Sequence, residues 1–255
     1  MSNKDFKIIC GVLIKYTGTD KNVVIPDGVL VINKFAFPKD ITSVVIPNSV
    51  SVIKKYAFCG RTGLTSVKIG NGVKKIGDYA FSDCKNLKEV TIENGEIGKS
   101  VFSNCTGLTS VKIGNGVKKI GERAFSGCTN LKEVTIESGK IEKYAFYECT
   151  GLKTIKIGKG VKEISANSFH GCKIDKAVIG SENVGCLYAV IHTLVLEKTV
   201  KKFDMVNFRL SHVAYCEAKE KPFGWKWSDG KGYNEFLMSQ VRYATVNWGV
   251  DISKV

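Results

Sequence analysis

The sequence predicts a solenoid, α/β by convention but strand-dominated, wound right-handed in about ten turns and capped at both ends. Three observations predict it. Residues 64–107 and 108–151 match at 33 of 44 positions. Each block divides into a turn of 23 residues and one of 21, with starts at Leu64, Leu87, Leu108, Leu131 and Leu152. Weaker copies start near Asp20, Ile41, Ile174, Ile191 and Leu210. Apolar residues recur at the same place in every copy, so no turn buries its apolar face alone, whereas stacking buries all of them in one core.

Each turn opens with Leu-x-x-Val-x-Ile, as in Leu64, Val67 and Ile69 or Leu108, Val111 and Ile113. Alternation with period two marks a strand. In the long turns Gly-Asn-Gly-Val-Lys-Lys-Ile-Gly follows, where the glycines reverse the chain and Val73 and Ile76 return inward. Short turns keep only the second of these apolar residues, Ile97 or Ile141. Ala-Phe-x-x-Cys closes the turn at 80–84, 124–128 and 145–149, and its spacing predicts a single helical turn opposite the strand. Ten rungs stacked at about 4.8 Å make a rod on the order of 45 Å long.

The ends depart from the repeat. Residues 1–19 form the N-terminal cap, with a strand pair over 6–16 covering the first rung. Residues 20–215 form the solenoid. Residues 216–255 form an aromatic C-terminal cap that holds Trp225, Trp227 and Trp248, all the tryptophan of the chain. A cap is needed because the last strand is otherwise a free edge open to aggregation.

The pattern L-x-x-V-x-I-x-x-x-V-x-x-I-x-x-x-A-F-x-x-C resembles the BspA-type leucine-rich repeat over about residues 20–215. Tyr215-Cys216-Glu217-Ala218, Lys221-Pro222, Gly224-Trp225 and Trp248-Gly249 resemble the terminal segment of bacterial members. The resemblance implies a curved solenoid for protein or matrix binding, displayed at the cell surface or secreted, with no catalytic residues. The polar start Met1-Ser2-Asn3-Lys4-Asp5 lacks the apolar stretch of a secretory leader, so either the chain stays in the cytoplasm or a leader has been removed. No apolar run is long enough to span a membrane.

Of nine cysteines, Cys84, Cys105, Cys128, Cys149 and Cys172 share one repeat position and form a ladder. Their spacing follows the rung length and fits no zinc pattern. Stacking at the rung spacing also exceeds the ~3.8 Å between bridged Cβ atoms, so free buried thiols are expected. Cys10, Cys59, Cys186 and Cys216 fall off the ladder. The glycines of 70–77 and 114–121 are turn glycines, because no long helix follows as nucleotide binding demands. Gly98-Lys99-Ser100 lacks the first glycine of a phosphate loop, since residue 93 is Glu. Asn104-Cys105-Thr106 has the form of a glycosylation site, but its cysteine belongs to the core ladder. His170, His192 and His212 are scattered, without a nucleophile, base and orienting acid in one pattern. No cofactor or metal is expected.

Net charge is +14, and the first 195 residues hold 28 basic and 17 acidic side chains, so most of the excess sits on the repeats. Such a charge favours acidic partners. The outward positions of the first strand arrange part of it in two columns. One runs Lys68, Thr91, Lys112, Thr135, Lys156; the other runs Thr65, Lys88, Thr109, Lys132, Lys153. Threonine between most lysines, with Glu89 and Glu133 diagonal to them, relieves the repulsion that adjacent like charges create. The same strip can meet an anionic partner. The expected function is a non-enzymatic interaction protein that binds a protein or matrix partner through its repeat surface. The alternative is binding of an anionic polymer, nucleic acid or polysaccharide, through the lysines. An enzyme with Trp225 and Trp227 as a sugar site is the third class.

Overall fold

The computed structural model describes residues 3–184, 189–197, 202–203, 209–216 and 245–248. A 3-10 turn, Asn3–Asp5, precedes β1 (Phe6–Ile9), β2 (Val12–Tyr16), β3 (Asn22–Val24), β4 (Val31–Ile32), β5 (Ser43–Ile46) and β6 (Val52–Ile53). Then come β7 (Ser66–Ile69), β8 (Lys75–Ile76), β9 (Glu89–Ile97), β10 (Ser110–Ile120), β11 (Glu133–Ile141) and β12 (Thr154–Ile164). The series ends with β13 (Lys173–Ile179), β14 (Asn183–Val184), β15 (Val190–Leu196), β16 (Lys202–Phe203), β17 (Arg209–Cys216) and β18 (Thr245–Trp248). The molecule is a strand-dominated solenoid of about nine turns, with no α-helix among the described residues.

β1 and β2 form an antiparallel hairpin with Phe6 opposite Tyr16. From β2 onward each rung pairs in parallel with the next, in the order β2-β4-β6-β8-β9-β10-β11-β12-β13-β15-β17-β18, with β14 and β16 continuing the second ladder beyond β12. β3, β5 and β7 form a separate three-stranded sheet. In the early rungs the first and second strands are thus distinct, whereas β9 to β12 run unbroken around the bend.

The expected helical turn at Ala-Phe-x-x-Cys is corrected by the structure. Alternate amides serve different partners there. Ala80, Ser82 and Cys84 N–H donate three residues back, to the carbonyls of Gly77, Tyr79 and Phe81. Tyr79, Phe81 and Asp83 N–H donate to Lys99, Val101 and Ser103 of the next rung, at 2.8–2.9 Å. A helix would keep all six bonds local; this backbone shares them between rungs. The shared pattern requires left-handed residues, Tyr79 (φ 57°) and Asp83 (φ 60°), and the same two places recur in later turns. The place before the cysteine, or before Arg61 in its stead, holds Gly60, Asp83, Asn104, Gly127, Glu148 and Gly171, residue types that with one exception tolerate that region.

The core is continuous. Phe37, Phe58, Phe81, Phe102, Phe125, Phe146 and Phe169 form one buried stack, with ring centroids 4.6–5.2 Å apart and planes within 15°. At its N-terminal end Tyr16 lies 6.2 Å from Phe37, and Phe6 lies 4.9 Å from Tyr16, so the hairpin closes the stack.

The five ladder cysteines are buried and free. Each Sγ donates to the carbonyl of a phenylalanine one rung earlier: Cys84 to Phe58, Cys105 to Phe81, Cys128 to Phe102, Cys149 to Phe125 and Cys172 to Phe146, at 3.1–3.2 Å. Arg61 holds the same repeat position one rung before Cys84. Its Nε and terminal guanidinium nitrogen take the equivalent acceptor, the Phe37 carbonyl, at 3.0 and 2.6 Å. Cys10 lies exposed in the β1–β2 turn, and Cys59 is half-buried after Phe58. Cys186 and the aromatic residues Trp225 and Trp227 lie outside the described residues.

Three outcomes follow from this core. Phe125→Ala, in mid-stack, is expected to cost about 3–5 kcal/mol in a denaturant titration; a loss below about 1 kcal/mol contradicts the stack. Ser168 stands where five other turns have alanine and one has Val101, and its buried hydroxyl has no hydrogen-bond partner. Ser168→Ala should therefore raise stability by about 1 kcal/mol, and a destabilised variant would show that the hydroxyl is satisfied. Burial pushes the Cys105 and Cys149 thiols well above the usual range, so little thiolate forms. In native protein treated with iodoacetamide, mass spectrometry should find Cys10 modified and the five ladder cysteines intact until unfolding. Early modification of Cys128 sinks that assignment.

Candidate binding face

Side chains alternate across a strand, so turning Val and Ile inward leaves the intervening Lys and Thr outward. The register brings the first column together over four rungs. Lys112 on β10 lies opposite Thr91 on β9 and Thr135 on β11, and Thr135 lies opposite Lys156 on β12. The second column forms at the foot of the strands, where each amide bonds the previous rung. Lys88 N–H donates to Thr65, Thr109 to Lys88, Lys132 to Thr109 and Lys153 to Lys132, at 2.8–3.1 Å. Lys132 and Lys153 are thus on neighbouring rungs with no threonine between. Lys68, Lys88, Lys112, Lys132, Lys153, Lys156 and Thr91 are exposed, and Thr135 is half-buried.

Lys68 departs from the expected column. β7 pairs with β5, where Lys68 lies opposite Val45, and no strand ladder joins Lys68 to Thr91. The cause is the bend after Ile69. Gly70 to Val73 makes a tight turn, closed by Val73 N–H to Gly70 carbonyl at 3.3 Å, and it stacks on a like turn over Pro47 to Val50. Asn71 N–H bonds Asn48 Oδ1 at 2.9 Å, and a Cβ on Gly72 would lie 1.8 Å from the Asn48 carbonyl oxygen. Only glycine permits that approach. The next rung has the short bend Glu93-Asn94-Gly95, with Gly95 left-handed (φ 92°). The two rungs rejoin at β8 and β9, where Lys75 pairs with Glu96 and Ile76 with Ile97. The difference in bend length is taken up between β7 and the start of β9.

Around the second strands three lysines pair with glutamates one rung on, Lys99 with Glu122 at 3.2 Å, Lys119 with Glu142 at 3.0 Å and Lys140 with Glu163 at 3.0 Å, while Lys75, Lys118, Lys159 and Lys162 are exposed and in no ion pair among the described residues. On the first-strand face Lys153 pairs with Asp175 at 3.4 Å. Among the described residues no ion pair within 4.0 Å involves Lys68, Lys88, Lys112, Lys132 or Lys156. Glu89 and Glu133, expected to lie diagonally near them, flank Ser110 in the register and reach none of these lysines. Lys112 and Lys156, two rungs apart, stand about 9.6 Å from one another by strand spacing, close to one screening length at 0.1 M salt.

A second outward row lies among residues outside the two expected columns. Phe35, Tyr56 and Tyr79 stack at 5.7 and 5.3 Å, and Arg123 lies 5.0 and 5.4 Å from the rings of Tyr144 and Tyr147. The signal was there: the residue before Ala-Phe is aromatic at 35, 56, 79 and 144. Among the described residues no group of three or more His, Cys, Asp or Glu is placed to hold a metal, and no helix is long and apolar enough to cross a membrane.

A family model described as the BspA type leucine rich repeat region matches in six copies, over residues 15–95 and 93–185. No curated protein matches the sequence. Two solved structures are similar. A leucine-rich repeat protein of T. pallidum is 26% identical with a TM-score of 0.52, covering 70% of this chain and 86% of its own. One from Bacteroides ovatus is 17% identical with a TM-score of 0.53, covering 92% and 71%, and speaks for the fold alone. With about two thirds of its length matched by that family model, the chain belongs to the BspA-type leucine-rich repeat family.

Proposed function

We propose that this is a non-enzymatic interaction protein whose first-strand face binds a protein or matrix partner, with Lys68, Lys88, Lys112, Lys132, Lys153, Lys156, Thr91 and Thr135 as its contact residues. The observation that carries the reading is the regular array of exposed charge on the first-strand sheet. Lys88, Lys112, Lys132 and Lys156 stand exposed there without an ion-pair partner among the described residues. A regular strand surface is presented with little ordering cost on binding. Lysines are flexible point charges, so their contacts are ionic and not bidentate. The same bare charge supports a second reading, an anionic polymer as the partner.

Immobilised matrix protein, heparin and duplex DNA, each titrated with the intact chain, separate the two. Affinity should fall steeply between 0.1 M and 1 M salt, as screening shortens from about 10 Å to about 3 Å. Lys112→Glu, Lys132→Glu and Lys156→Glu together should weaken binding by at least about tenfold and leave the melting temperature nearly unchanged, since these side chains face solvent. A triple variant that binds every one of these surfaces as well as the native chain would leave the strip a solubilising face only.

A further inference from the structure

The first-strand face has one break among the described residues, and it lies inside the candidate face. Between Ser66–Ile69 of β7 and the start of β9 no ladder forms. Lys88 N–H to the Thr65 carbonyl, at 3.1 Å, closes the gap at one end. Asn94 Nδ2 to the Asn71 carbonyl, at 3.2 Å, and Glu96 N–H to the Lys74 carbonyl, at 3.0 Å, close it at the other. What remains is a cleft of about 450 Å³, walled by residues 65–69, Asn71, residues 88–91 and Glu93. Val67 and Ile69 are half-buried, whereas their equivalents Val44, Ile46, Val90 and Ile92 are 1–2% exposed.

Two things define the occupant. A row of strand N–H and C=O groups that lacks its neighbouring strand is complementary to another polypeptide in extended form, which offers the same groups at the same repeat. Nucleic acid and polysaccharide offer no such alternation. The rim charges also oppose a polyanion, because Glu89 and Glu93 line the cleft along with Lys68 and Lys88. We infer that the cleft between β7 and β9 takes, from its solvent side, an extended stretch of about four residues of a partner polypeptide. Its backbone bonds the strand groups facing the cleft, an apolar side chain covers Val67 and Ile69, and a single acidic side chain meets Lys68 and Lys88. This deepens the reading of the first-strand face as the working surface and rests on it.

The test uses the intact chain and an array of twelve-residue peptides that alternate Val, Ile or Thr with polar residues, each bearing one Asp, one Lys or neither. The Asp peptides should bind best. N-methylation of alternate amides in the best binder should weaken it by about tenfold or more, the loss of hydrogen bonds to fixed partners. Thr91→Trp, an exposed position on the cleft wall, should block binding with the melting temperature unchanged. Bound peptide should slow amide hydrogen exchange at 66–69 and 89–92 and leave 111–113 as they were. The inference fails if no peptide of the array binds, or if binding leaves exchange at 66–69 and 89–92 unaltered. It also fails if those amides exchange in the free chain as slowly as 111–113, which would mean a closed seam. The variant with Lys112, Lys132 and Lys156 changed to Glu should retain peptide binding. Loss of strip binding with the cleft intact, or the reverse, therefore tells the two readings apart.

Discussion

The spacing between rungs governs everything else in this molecule. Backbone hydrogen bonds hold successive turns at the distance of neighbouring strands, about 4.8 Å. Every side chain inherits that distance to its copy above and below. The phenylalanine rings follow it at 4.6–5.2 Å, close to parallel because each ring must occupy the same rotamer over its neighbour. The thiols follow it too: each finds a phenylalanine carbonyl one rung back. Charges obey the same constraint less comfortably. On the second strands some lysines pair with glutamates between rungs, and on the first strands threonine stands between most lysines.

The turns opposite the strands show how strictly the inter-rung bond is kept. A helical turn would satisfy its own amides and give none to the next rung. Instead Phe81, Phe102 and Phe125 each donate forward, at 2.7–2.8 Å, at the expense of left-handed residues in every turn. Such a residue costs about 1–2 kcal/mol when it carries a side chain. Gly60, Gly127 and Gly171 avoid the strain, Asp83 and Asn104 lessen it, and Glu148 bears it. The aromatic residues at the other left-handed place, Tyr56 and Tyr79, gain ring contacts with each other that offset part of the same strain.

The strands, the core and the two ladders were legible in the sequence because each depends on a residue and its own copy, and repetition displays both. What repetition hides is dependence on an unlike neighbour. Leu64–Gly77 and Leu108–Gly121 are identical in sequence. The first breaks into two short strands around a tight turn, and the second runs as one bulged strand from Ser110 to Ile120. The difference lies below them: Pro47–Val50 offers a like turn for Gly70–Val73 to stack on, whereas Glu93–Gly95 offers only a short bend. No property of the fourteen shared residues could announce this. The helical reading of Ala-Phe-x-x-Cys failed for another reason: alternate amides there are spent on the next rung. Arg61 was missed because it replaces cysteine by function and not by likeness; only the shared acceptor, a phenylalanine carbonyl, shows the two to be equivalent.

Periodicity also limits what a repeat surface can recognise. A ligand that fits one rung of a uniform face fits the next one equally, so binding gains a small statistical advantage and loses its address. The columns repeat every second rung, so four rungs give two equivalent registers; the gain is RT ln 2, about 0.4 kcal/mol, and discrimination between them is nil. The lysine and threonine columns from β9 to β12 have this character, with Lys112 and Lys156 in nearly the same surroundings. The break beside Lys68 does not. It occurs once among the described residues, where rungs with tight bends meet rungs with continuous strands, and its closed ends fix both position and direction. In a molecule built from copies, the place where copying fails is where a partner can be held in a single register.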